Sequence, residues 1–125
     1  MTLNQYQEKA MTTCTESSRN YCYMAGNLSA EVGELQGKVH KAQRKEQLEF
    51  NHKGDIVWLG DLEDEMTFYE ELMKEAGDVL WQLSGVCSVM GWRLEDVAQM
   101  NLEKLAARKK AGTIIGSGDG IIREK

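Results

Sequence analysis

Proline is absent from the whole chain of 125 residues, so no position forbids a helix interior by removing a donor or clashing with the preceding turn. The three cysteines, Cys14, Cys22 and Cys87, form no CxxC and leave an odd thiol. That pattern excludes a zinc knuckle and a secreted disulfide framework, leaving reduced structural thiols. No stretch approaches the roughly 18 apolar residues of a membrane span, and the first residues lack a basic segment followed by an apolar one. A soluble, cytoplasmic protein is expected. There is no basic excess either: Asp and Glu number 20 against 15 Lys and Arg, for a formal charge of −5, which argues against a nucleic-acid partner.

What is present favours helix. Leu, Met, Ala, Glu, Lys and Gln are common, hydrophobic residues make up 42%, and the fold class expected is all-α. A domain of this length buries only about two thirds of its unfolded surface, so self-association would help complete the core. One domain over residues 1–125 is expected, built as a bundle of four to five helices and closing in an irregular tail at 112–125.

Hydrophobic spacing places the elements. Thr2 or Asn4 can cap a short first helix carrying Leu3, Tyr6, Ala10 and Met11. After a polar turn, a second helix should begin near residues 18–21 and reach about Lys45, with Leu28, Val32, Leu35, Val39 and Ala42 as its stripe. Periodicity fades over 46–66, where Asn51, Gly54, Asp55 and Gly60 punctuate a single apolar run, so an inserted loop or small hairpin is expected. A third helix, the central one, should run from about Phe68 to Met90. Gly91 suits its C′ position, and a fourth helix should start near Leu94 with Glu95 and Asp96 at its positive end.

Four carboxylates sit where charge is expensive. At about 100° per residue, Glu31 falls only ~60° from the centre of the second helix's apolar stripe, with Glu34 one turn away. Glu75 and Asp78 repeat the i, i+3 spacing beside the stripe of the third helix. If these faces pack together, like charges converge at the edge of a core and oppose folding. A hard divalent cation resolves the conflict: magnesium takes oxygen ligands and keeps room in its shell for water or phosphate. Manganese is a possible substitute, whereas a set without His or Cys argues against zinc.

Basic and amide groups accompany the acids. Asn101 lies near the middle of the stripe formed by Leu94, Ala98 and Leu105, where a buried amide would need partners. Lys104 and Arg108 follow it at i+3 and i+7, and Lys38 projects between Glu31 and Glu34; each could hold a phosphate or serve in a surface ion pair. Trp58 and Trp81 are candidates for stacking on a base, or equally core and interface residues.

In these residues the chain resembles the MazG-like branch of the all-α nucleoside triphosphate pyrophosphatases, marked by ExxE on one helix and ExxD on the next. The matching segments are Glu31-Val32-Gly33-Glu34-Leu35, Glu75-Ala76-Gly77-Asp78-Val79-Leu80-Trp81, and Asn101 followed by Lys104 and Arg108. Lys109-Lys110-Ala111-Gly112 and Gly116-Ser117-Gly118-Asp119 are similar to the tail of small bacterial and phage members. Two departures stand out: Ala30 occupies a position where the family often has a further Glu, and the 46–66 insertion widens the gap between the acidic motifs.

The resemblance implies magnesium-dependent hydrolysis of a nucleoside triphosphate to the monophosphate and pyrophosphate by a homodimer or homotetramer. It assigns Glu31 as proton acceptor and metal ligand, Glu34, Glu75 and Asp78 as ligands, and Lys38, Asn101, Lys104 and Arg108 to phosphate oxygens. Two alternatives remain. One is a non-catalytic helical binding or regulatory module. The other, a di-iron bundle, needs ExxH on two helices, and the one ExxH here, Glu49 to His52, falls in the insertion.

Overall fold

The computed structural model describes residues 1–112, so the tail expected at 112–125 lies, beyond Gly112, outside the described residues. The order is α1 (Leu3–Met11), a 3-10 turn (Glu16–Ser18), α2 (Tyr21–Arg44), β1 (Leu48–Phe50), β2 (Ile56–Trp58), α3 (Leu62–Val89) and α4 (Leu94–Lys110). The fold is all-α apart from the small hairpin. Among the described residues no helix is long and apolar enough to cross a membrane.

Helix ends are set locally. Thr2 caps α1 in a capping box, its hydroxyl accepting from the Gln5 N–H at 3.1 Å while the Gln5 side chain accepts from the Thr2 N–H at 2.8 Å. Asn20 caps α2 through the Tyr23 N–H. Asp61 caps α3 through the Asp64 N–H, with Glu63, Asp64 and Glu65 in the first turn. That start lies six residues before the Phe68 expected from periodicity, because the first turns bury little: Leu62 and Met66 are exposed. Gly91, at φ +75°, ends α3 in a Schellman motif, with its N–H bonded to Ser88 and the Trp92 N–H bonded to the Cys87 carbonyl.

The inserted segment is a hairpin pairing Leu48 with Trp58, Glu49 with Val57 and Phe50 with Ile56. Asn51 closes its turn by accepting from the Lys53 and Asp55 N–H groups, and Gly54 supplies φ +83°. Leu48, Ile56 and Trp58 pack on Val39, Ala42, Phe68 and Leu72, forming one apolar cluster. A second gathers Met11, Cys14 and Met24 with Trp81, Val86 and Val89.

These clusters lie toward opposite ends of the antiparallel α2–α3 pair. Met24 meets Gly85, Asn27 bonds Gln82, Glu34 approaches Glu75 and Lys38 bonds Glu71. With Glu31 facing Asp78 by the same register, α2 advances by three, four, three and four residues while α3 retreats by equal steps. The acidic residues occupy the middle of this seam.

Helix α4 is attached differently. The Gln7 side chain accepts from the Leu94 N–H at 2.8 Å and donates to the Trp92 carbonyl at 2.9 Å and to Ser88 at 3.0 Å, while Asn4 accepts from the Glu95 N–H. Side chains of α1 thus supply the cap that α4 lacks at its own Arg93.

The seam contact at Gly85 is testable. Met24 is fully buried, and a Cβ at position 85 would overlap its thioether, whereas a Cβ at Gly37 on the exposed side of α2 meets nothing within 4 Å. Alanine gains about 1 kcal/mol of helix propensity over glycine, and overpacking costs typically about 1–3 kcal/mol. Urea denaturation should therefore show Gly85→Ala less stable than the parent and Gly37→Ala more stable; equal gains would mean that the seam is loose at Met24.

Candidate metal centre

Along the seam, Glu31 and Glu34 project from α2 and Glu75 from α3, and one carboxylate oxygen from each lies within 4.8 Å of the others. Glu31 and Glu75 are half-buried and Glu34 is exposed. Among the described residues, one oxygen of Glu31 and one of Glu75 are shielded from solvent without any hydrogen-bond partner. Buried carboxylate oxygens almost always have a donor, so two orphans in one cluster fit a site for positive charge.

The electrostatics agree. Burial pushes the Glu31 carboxyl above its ordinary range, helped by the Glu34 charge, a hydrogen bond shared with the Glu34 carboxyl, and the charges of Asp78 and Glu75. Because its affinity for a proton is raised in the fold, ionised Glu31 weighs against the metal-free structure. That penalty is absent below the unfolded carboxyl range and fully present once pH exceeds the raised value. An all-oxygen donor set beside unpaired negative charge fits a hard divalent cation.

Asp78 is exposed and stands outside the tightest triad, although its charge reaches Glu31 and, after burial, is the second cause raising the Tyr6 phenol. Tyr6 brings α1 to the edge of the cluster, a neighbour that no sequence spacing indicates. Lys38 is held at the seam by Glu71, Nζ to Oε2 at 2.8 Å. The hydrogen bond to Lys38 lowers Glu71, just as Glu71 raises Lys38. Glu71 was not among the sequence candidates, yet its position one turn before Glu75 on the same face is a usable signal.

Asn101 and Lys104 line a groove that none of the four carboxylates lines. Asn101, expected as a buried amide, is exposed: α4 docks through its first turn, and its apolar stripe is not covered along its length. The groove, of about 640 Å³, is also lined by Trp92, Asp96, Val97 and Met100. Arg108 is half-buried near the end of α4.

Both tryptophans considered for base stacking are used within the fold. Trp58 stacks on Phe68 with ring centroids 5.1 Å apart and donates to the Asp61 carbonyl, while Trp81 donates to the Ala10 carbonyl and the Thr13 hydroxyl. These contacts fit the core role that stands beside base stacking as a reading of both residues. Glu49 and His52 lie on the hairpin strand and turn, away from any helical ExxH arrangement.

A family model described as the MazG nucleotide pyrophosphohydrolase domain matches residues 23–113, which contain both acidic motifs and all of α4. The Gene 37 protein of Mycobacterium phage L5 is 32% identical over 104 residues, covering 83% of this chain and 79% of that protein. No solved structure matches the chain. Since the family model spans well over half of the sequence and covers the helices that form the carboxylate seam, the chain belongs to the MazG nucleotide pyrophosphohydrolase family.

Proposed function

We propose that the chain hydrolyses nucleoside triphosphates to the monophosphate and pyrophosphate, with magnesium, or manganese in its place, held by Glu31, Glu34, Glu75 and Asp78. The observation that carries this reading is the pair of shielded, unpartnered oxygens of Glu31 and Glu75 beside Glu34. When bound, the cation would neutralise the phosphate chain and lower the pKa of an attacking water.

The protein's own groups divide the remaining work. Glu31 accepts the proton of that water, a role suited to a carboxyl whose surroundings already favour protonation. Glu34, Glu75 and Asp78 serve as ligands and orient the site from two helices. Lys38 at the end of the cluster holds phosphate oxygens; Asn101 and Lys104, which line a groove apart from the four carboxylates within one chain, and Arg108 are the further phosphate-binding groups of this reading. House-cleaning or control of a nucleotide pool in a bacterial or phage-infected cytoplasm is the setting this activity suits.

A second copy of the chain completes the fold in this reading. On the side of α3 opposite Glu71, Glu75 and Asp78, the residues Leu62, Met66, Tyr69, Met73, Leu80 and Leu83 are all exposed, Met73 at 75% and Leu62 at 70%. With Ala76 they repeat at alternating intervals of four and three, the spacing of a helix–helix seam. An apolar stripe of that length in water favours self-association as a dimer or tetramer.

Three measurements follow from this reading. Glu75→Gln and Asp78→Asn should each reduce magnesium-dependent pyrophosphate release from a panel of nucleoside triphosphates by on the order of a hundredfold or more; undiminished turnover would remove the cluster from the chemistry. Glu31→Gln should lose activity yet, without metal at neutral pH, denature at a higher temperature than the parent, because a repelled carboxylate has been removed. Light scattering after size exclusion should give a multiple of 14.1 kDa that falls toward the single-chain mass in Met66→Glu/Met73→Glu; a parent chain that is already monomeric would refute the α3 interface.

A further inference from the structure

Lys38 is surrounded by more carboxylates than it contacts. It follows Glu34 by four residues on α2, the spacing at which side chains on one helix face meet. Across the seam, Glu75 is near enough for its charge to act on the Lys38 ammonium. Both glutamates belong to the triad whose oxygens converge within 4.8 Å. A lysine with a four-carbon stem and a compact charge is therefore within reach of the place where a cation would sit. Nevertheless, its one hydrogen-bonded ion pair among the described residues is with Glu71, one turn outside the triad, at 2.8 Å.

We propose that Glu71 is a positioning residue that holds the Lys38 ammonium at the end of the α2–α3 seam and so keeps it from neutralising the carboxylate cluster in place of a divalent cation. The inference rests on the metal-binding reading given above and extends it to a residue outside the acidic motifs. An orphaned carboxylate attracts whatever positive charge can reach it, and an internal lysine competes at an effective concentration that does not fall when the dissolved cation is dilute. A competing carboxylate that binds the lysine first removes this self-inhibition. Glu71 suits the task because its register puts it opposite Lys38, as Glu75 is opposite Glu34. Its half-exposed side chain also leaves Lys38 free to offer further N–H donors to a phosphate, since an ammonium carries three.

The arrangement makes a prediction that simple charge counting does not. Removing Glu71 should weaken cation binding chiefly by releasing Lys38, so its effect should depend on whether Lys38 is present. Calorimetric titration with manganese alone, without nucleotide, should show Glu71→Gln binding roughly three- to tenfold more weakly than the parent. In the Lys38→Met background the same Glu71→Gln change should shift the affinity by less than about twofold, within the range of a distant exposed charge. Circular dichroism and urea denaturation of all four proteins establish that each is folded, and the Lys38→Met parent supplies the reference if Glu71→Gln alone is unstable. An equal loss in the two backgrounds would overturn the proposal and leave Glu71 as a general contributor of negative charge. A folded parent chain that takes up no manganese would instead bring down the metal reading itself, and this inference with it.

Discussion

Two long antiparallel helices share one register, and here that register is fixed where Met24 presses against Gly85 and where Val39 and Ala42 meet Phe68. Because α2 and α3 step past each other in equal intervals, settling these contacts also settles which side chains face one another between them. The result is a seam that attracts at its ends and repels in its centre. Apolar burial at both ends, at about 25 cal/mol per Å², is the source of the free energy that opposes carboxylate repulsion in the middle. Asn27 bonded to the buried Gln82 and Lys38 bonded to Glu71 bracket the repelling stretch, one with neutral amides and the other with opposite charges. Gln82 is further tied to the Met24 carbonyl, so the bracket and the close approach at Gly85 form one unit.

Much of this was legible in the sequence because helical periodicity reports which face is buried. The spans of α1, α2 and α4, the central place of α3, the C-terminal role of Gly91 and the interruption between Lys45 and α3 all follow from apolar spacing, caps and turn residues. Glu31 and Glu75 were legible for a different reason, as charges at the border of an apolar stripe. The start of α3 was obscured because its first turns carry only the outer stripe, so the pattern expected of a buried helix is missing there. The signal that was available, Asp61 followed by Glu63, Asp64 and Glu65, is one of capping and dipole rather than burial.

Pairings across the seam were not legible, since they require the register of two helices and each helix's sequence contains only its own. Glu71 is the clearest case: its place one turn before Glu75 marks its face, but its partner is known only once Lys38 is seen opposite. Asn101 shows the converse error. Its place on a stripe argued for burial, but a stripe states only that a face is apolar, not that the same chain covers it. Helix α4 is fixed to α1 by polar caps from Gln7 and Asn4 at one end, which leaves Trp92, Val97 and Met100 around an open groove. Trp58 was harder still, because its role depends on a hairpin whose pairing brings Leu48 and Ile56 beside it.

The width of the carboxylate gap is dictated by residues that never touch it. At one end it is the thickness of a thioether laid against a residue without a side chain, and at the other the depth of Val39 and Ala42 packed with the Phe68 ring. Spreading the helices would loosen the packing at one of those ends and lose part of its burial. In the metal-binding reading proposed above, discrimination by ionic size would therefore be a property of Met24, Gly85, Val39, Ala42 and Phe68, residues that supply no oxygen ligand.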